Sequence, residues 1–340
     1  MKLSPGDRVA VLSPAFSAPA AGPEVHEQAM RRLSEATGLV PVEYPTTRRL
    51  DATAADRAAD VNAAFADPTI RAVLATIGGD DQITVIPHLD DAVLAANPKP
   101  FLGYSDNTNL LNHLWRLGVD GFYGGSTQVH LGPGPGIDDI HLASLRAALL
   151  DGGELELTEP GESEDFGLVW DDPRALTENG TREPTEPWTW TGPARRVTGR
   201  TWGGCLDVLD QMGIAGRFPA VDDLAGGILL LETSEELPGA DWVGRWIRAL
   251  GEAGILSAVA GVLIARAPTS NFEVDPDAGE RARLRAAQRD VAITTVAAYN
   301  PDAVVCVGVP FGHTRPQWIV PYGGMMTLDG AAQRVVADYS

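Results

Sequence analysis

Cysteine is nearly missing from this chain: only Cys205 and Cys306 occur in 340 residues. A disulfide framework is therefore excluded as the organising device. Both cysteines sit in apolar stretches and read as small buried hydrophobes. Positive charge is also scarce, with 26 Lys and Arg against 46 Asp and Glu and a net charge of −20. Binding to nucleic acid or to an anionic membrane needs a basic surface, so neither partner is expected. No run of about 18 apolar residues occurs, so no transmembrane helix is expected. The opening Met1-Lys2-Leu3-Ser4-Pro5-Gly6-Asp7 lacks the apolar segment of a secretory signal. A soluble cytoplasmic protein is the resulting expectation.

The motifs of cofactor chemistry are missing as well. No His-x-x-x-His or Cys-x-x-Cys pair is present, which argues against a zinc site. No Gly-Lys-Ser/Thr phosphate loop appears, and no Gly-x-Gly-x-x-Gly follows the first strand. Neither a metal nor an organic cofactor is expected.

What is present is enough for two domains: 44% of the residues are hydrophobic. Over the first 150 residues, strand-like segments (8–13, 40–44, 72–77, 100–104, 121–123) alternate with helix-like ones (23–37, 56–67, 84–96, 107–117, 140–150). Continuous apolar strands between helices predict a parallel sheet covered on both faces. Its strand-to-helix loops share one edge. Residues 151–196 are acidic, rich in Pro and contain Trp; they read as a linker with a covering loop. A second α/β domain, 197–340, follows. Helices are predicted over 205–212, 240–253 and 278–298. Strands are predicted over 227–232, 259–265 and 303–307, and a hairpin turns at Asp329-Gly330.

Four segments could carry chemistry. Ser105, in Leu102-Gly103-Tyr104-Ser105-Asp106-Asn107-Thr108, sits where a strand turns into a helix. That turn would expose its hydroxyl beside free helix amides, although Ser105 could equally cap the helix. Gly78-Gly79-Asp80-Asp81 ends another strand and could present amides to an oxyanion, or be a simple turn. His313 stands in a stiff Gly/Pro loop that could hold a base, or lies on the surface. Glu232 ends an apolar strand, where a buried carboxylate needs a partner: an imidazole, an arginine or a helix N-terminus.

The order of these segments, together with Gly203-Gly204-Cys205-Leu206 and Pro321-Tyr322-Gly323-Gly324, resembles the S66 serine peptidases. These are the LD-carboxypeptidases and the microcin C self-immunity peptidases. The resemblance spans nearly the whole chain. It implies an N-terminal flavodoxin-like domain, a C-terminal α/β domain and a homodimer. It also implies a triad of Ser105, Glu232 and His313 and an oxyanion hole from the amides of Gly79 and Asp106. Gly78 and Asp80 would lie against substrate. The stretch 203–209 and Trp170, Trp188 and Trp190 resemble the microcin-immunity branch, in which an aromatic residue stacks on a nucleotide; Trp188 or Trp190 is the expected one. Arg315 departs from the family pattern and is either a carboxylate ligand or solvated. Arg266 is a second carboxylate candidate by position. The expected substrate is a small peptide or an aminoacyl-nucleotide-like molecule, cleaved near a C-terminal residue. The branch with murein tetrapeptide as substrate and a non-catalytic two-domain binding protein are the alternatives.

Overall fold

A computed structural model describes residues 2–340. The first sheet has six strands, in the order Val320–Tyr322, Gly121–Tyr123, Phe101–Gly103, Ile70–Ala75, Arg8–Leu12 and Val40–Glu43. The five strands from the N-terminal part are parallel. Their order is the flavodoxin-like 2-1-3-4-5. Strand Ile70–Ala75 is buried at five of its six positions, which is why its sequence is continuously apolar. Helices Pro23–Thr37, Ala54–Ala66 and Thr108–Arg116 connect these strands. The first is stopped by Gly38 in the left-handed conformation. The second starts from a Thr53/Asp56 capping box.

The second sheet has eight strands. Its centre, Arg196–Cys205, Ile228–Glu232, Gly261–Ala265 and Val304–Val309, is parallel. Antiparallel strands flank it on both sides. Every residue of Ile228–Glu232 is buried, including the carboxylate that ends it. The two sheets are interlocked. Val320–Tyr322, from the C-terminal part, pairs with Gly121–Tyr123 at the edge of the first sheet, and the buried apolar side chains form one continuous cluster.

Two expectations need correction. The helix predicted over 84–96 is confined to Asp91–Ala96, behind two short 3-10 turns. Pro87 removes a backbone donor, and Asp90 starts a new helix by accepting from the Ala92 and Val93 amides. The stretch 151–196 is more than a linker. Glu154–Leu157 and Thr189–Thr191 form the two edges of the second sheet. They are three or four residues long and only partly buried, too short to show a two-residue period. Among the described residues, no helix is long and apolar enough to cross a membrane.

Candidate active site

Ser105 follows strand Phe101–Gly103 and opens the turn into helix Thr108–Arg116. Its φ is +63°, a left-handed conformation that costs a non-glycine residue about 1 kcal/mol. Such strain persists only where the surroundings enforce it, and here the enforcing bonds are visible. The Ser105 amide donates to Tyr123 Oη at 3.2 Å, and Thr108 Oγ1 donates to the Ser105 carbonyl at 2.7 Å. The turn is also stitched to the glycine loop. Gln82 N donates to Asp106 Oδ2 (2.8 Å), Gln82 Nε2 to Asn107 Oδ1 (2.8 Å) and Asn107 Nδ2 to the Ile77 carbonyl (3.0 Å). Burial raises the Asp106 carboxyl to about 6, against the Gln82 amide bond that favours its charged form. Gly78 packs directly on the serine: a Cβ there would lie 2.8 Å from Ser105 Cβ and 2.9 Å from Oγ.

His313 enters from the loop after strand Val304–Val309. Its Nδ1 is 2.6 Å from Glu232 Oε2. The other carboxylate oxygen, Oε1, accepts from Tyr123 Oη at 2.6 Å. Tyr123 thus ties the serine turn of one sheet to the carboxylate of the other. A second tie is Thr108 Oγ1, which accepts from the Cys205 amide at 3.3 Å. Gly312 allows the close approach, because a Cβ there would meet Glu232 Oε2 at 2.5 Å. The Tyr104 ring packs edge-on against the imidazole at 5.0 Å between centroids. Replacing Tyr123 with Phe strands a buried carboxylate oxygen and should cost about 2 kcal/mol of stability, read as a fall in the urea midpoint at unchanged slope.

His313 Nε2 lies 2.9 Å from Glu235 Oε2 but lacks hydrogen-bond alignment, and it makes no hydrogen bond in this structure. Burial by itself would lower the His313 pKa. The carboxylates of Glu232 and Glu235 overcome it and hold the imidazolium form well above the ordinary 6.5. Packing around Glu235 works against its charge, but His313 outweighs that and keeps its carboxyl near 2.

Ser105 and His313 line one cavity of about 350 Å³, with Gly78, Gly79, Glu235 and Arg315 also in its wall. Phe16, Phe166, Leu168, Trp170 and Phe272 give it a large apolar side. Asp80 is exposed and outside this lining. Trp188 and Trp190 are also outside it, contrary to expectation. Trp190 is held in edge strand Thr189–Thr191 opposite Cys306, and Trp188 packs beside Gly308. The tryptophan that reaches the cavity is Trp170. Arg266 is likewise elsewhere, with its Nη1 on Asp165 at 2.6 Å. Arg315 is at the cavity but is not solvated, being 3% exposed. It pairs with Glu164 Oε1 at 3.1 Å, and its backbone exchanges two hydrogen bonds with Glu164. Its Nε and Nη2 make no hydrogen bonds.

Sequence reasoning missed Tyr123, Gln82 and Glu235, whose roles depend on contacts between loops distant in the chain. Cys205 is a buried thiol, as expected, and donates to Asp207 Oδ1 at 2.8 Å. Its Sγ, a Glu232 oxygen and a His313 nitrogen lie within 4.8 Å of one another, three ligand types that could face a metal ion.

The comparisons with known proteins agree with this architecture. Residues 9–124 match the LD-carboxypeptidase N-terminal domain, and residues 198–328 match the LD-carboxypeptidase C-terminal domain. A candidate carboxypeptidase of Vibrio cholerae is 28% identical over 336 residues, 96% of this chain and 93% of that protein. The microcin C7 self-immunity protein MccF of Escherichia coli is 26% identical over 277 residues, 81% of this chain and 75% of its own. A solved structure of MccF in complex with aspartyl sulfamoyl adenosine shares the fold, with a TM-score of 0.84 and 23% identity; the match covers 99% of this chain and 97% of that one. The chain belongs to the S66 peptidase family, that of the LD-carboxypeptidases.

Proposed function

We propose that this protein is a serine hydrolase that cleaves the amide-type bond behind an aminoacyl group, with Ser105 as nucleophile, His313 as general base and Glu232 orienting the imidazole. The observation that carries this reading is a serine and an imidazole at one cavity, with a buried carboxylate behind the imidazole. The strained serine and the imidazole both line that cavity, and the imidazole is fixed through Nδ1 by the buried carboxylate at 2.6 Å.

A carboxylate on Nδ1 keeps a proton there, and Nε2 takes the serine proton once the imidazolium favoured by Glu232 and Glu235 has given up its own proton from Nε2. Nε2 makes no hydrogen bond to Ser105 in this structure; on this reading that bond forms when substrate is bound. Ser105 Oγ attacks the acyl carbon, and its proton passes to His313 Nε2. The carbonyl oxygen becomes an oxyanion, received by the amides of Gly79 and Asp106. His313 returns the proton to the leaving nitrogen as the C–N bond breaks. Water, deprotonated by the same imidazole, then releases the acid from Ser105. Arg315, at the cavity wall but paired with Glu164 at 3.1 Å and Asp138 at 3.5 Å, would take a carboxylate of the substrate by exchanging one of these partners. Trp170 and the phenylalanines offer flat faces to a stacking group. That apolar side supports an aminoacyl-nucleotide-like substrate, as in the microcin-immunity branch, over a murein tetrapeptide.

Two assays test the reading. In a panel of an LD-tetrapeptide and aminoacyl sulfamoyl adenosines, the expected result is hydrolysis, with the adenosine compounds preferred. Tight binding of these compounds without any cleavage would favour the binding-protein alternative. In the second assay, Gly78→Ala is compared with wild type. The added methyl must displace Ser105, and a shift near 1 Å should lower kcat/KM roughly 100-fold while the melting temperature changes little. Full activity in that variant would separate the serine from the chemistry.

A further inference from the structure

Four charged side chains line the cavity, and three of them have balancing partners. Asp165 is held by Arg266 at 2.6 Å and Arg285 at 3.4 Å. Arg315 is balanced by Glu164, and His313 is fixed by Glu232. The fourth is Glu235. Among the described residues, no lysine or arginine pairs with it; its only ionic neighbour is His313 Nε2. Its side chain is 63% exposed, yet its backbone is anchored. The Glu235 carbonyl accepts from Asn271 Nδ2 at 2.9 Å. Ser234 Oγ donates to Asp207 Oδ2 at 2.5 Å, and Leu237, with a φ of +52°, turns the chain back just beyond. A fixed loop therefore projects one carboxylate onto the nitrogen that the chemistry needs.

We propose that Glu235 is a specificity carboxylate: it accepts a cationic group, an ammonium or guanidinium, on the acyl residue of the substrate, and this pairing draws it away from His313 Nε2 and frees the base. This rests on the serine-hydrolase reading. An acidic acyl residue would meet a like charge beside the base. A neutral one would leave Glu235 on Nε2. A cationic one satisfies the carboxylate that the fold leaves without a Lys or Arg, and it does so next to the reacting carbonyl. Selection of this kind combines attraction of one class with repulsion of the other.

The groups that face His313 are Glu232 at the end of its strand, Glu235 in the loop beyond, Tyr104 from the serine turn and Cys205 from the neighbouring strand. His130, from the π-helical turn Thr127–Leu131, is a further titratable group near it in the core, its pKa lowered first by burial and further with help from the His313 charge. Removing the Glu235 charge leaves the others in place. His313 then loses one of two stabilising carboxylates, and its pKa falls.

The test uses lysyl, norleucyl and glutamyl sulfamoyl adenosine with wild type, Glu235→Gln and Glu235→Lys, and calorimetric binding of each compound to Ser105→Ala. Wild type should prefer lysyl over norleucyl by roughly 10- to 100-fold in kcat/KM, the span expected of one charge-assisted bond. It should prefer glutamyl least. Glu235→Gln should lose that preference, gain on norleucyl, and move the acidic limb of its pH profile to lower pH, because the base deprotonates earlier. Glu235→Lys should favour glutamyl. A merely structural role for Glu235 would lower all three substrates together and leave the pH limb in place, which contradicts the proposal. So would equal handling of lysyl and norleucyl by wild type, or failure of Ser105→Ala to bind the lysyl compound more tightly. If instead Ser105→Ala hydrolyses the panel as wild type does, the serine reading itself falls.

Discussion

Ser105→Ala should lower turnover by roughly 10⁴- to 10⁶-fold, the range set by loss of the nucleophile from a triad. The fold should survive intact. The substitution removes one oxygen at a cavity wall and keeps every backbone bond of the turn: the Ser105 amide to Tyr123 Oη and Thr108 Oγ1 to the Ser105 carbonyl. Alanine at φ +63° carries about the same strain as serine. The melting temperature should therefore move by no more than about 0.5 kcal/mol would produce. Circular dichroism and a thermal scan, run beside the turnover assay, separate loss of chemistry from loss of structure. A variant that retains more than about a hundredth of wild-type turnover, far above the range quoted for a lost nucleophile, would remove Ser105 from the reaction.

Glu232→Gln should cost roughly 10⁴-fold, although the two side chains have the same shape. The reason lies in Tyr123. Its hydroxyl donates to Glu232 Oε1 at 2.6 Å and already accepts from the Ser105 amide. An introduced glutamine must therefore turn its carbonyl oxygen to Tyr123. Its amino group then faces His313 Nδ1, which must accept instead of donate. The proton moves to Nε2, the nitrogen that should receive the serine proton, and the base is in the wrong tautomer. Loss of the negative charge also lowers the His313 pKa, which the nearby carboxylates hold well above 6.5. The pH profile of the residual activity should therefore rise at lower pH than in wild type. An unchanged kcat/KM in Glu232→Gln would mean that the carboxylate is a structural partner of Tyr123 and nothing more.

The legible parts of this molecule are those governed by short-range rules. Helix Pro23–Thr37 ends where Gly38 says it should. The parallel first sheet follows from continuous apolar strands alternating with helices, whereas its flavodoxin-like order is what the family resemblance implies. Ser105 stands out because a polar residue at a strand-to-helix junction meets helix amides, and Glu232 because a carboxylate closes an apolar strand. What the sequence does not disclose depends on pairs of loops meeting in space. Nothing local to Tyr123 says that its hydroxyl will reach both the serine amide and Glu232, 109 residues away. Nothing around Gln82 marks it as the clamp on Asp106 and Asn107. Trp188 and Trp190 attract notice through the resemblance to the microcin-immunity branch, yet the edge strand Thr189–Thr191 takes that segment to the second sheet, and Trp170 fills the place at the cavity. Arg315 is isolated in sequence but bound in space to Glu164, about 150 residues earlier.

The central claim is that Ser105 carries the acyl group between two half-reactions. The direct measurement is the mass of the protein quenched in acid within the first turnover of an activated lysyl ester, in which acylation outruns hydrolysis. The account predicts one lysyl increment per chain, mapped by peptide sequencing to Ser105 and lost in His313→Ala. Turnover of that ester with no increment on Ser105, or with the group on another residue, would contradict it.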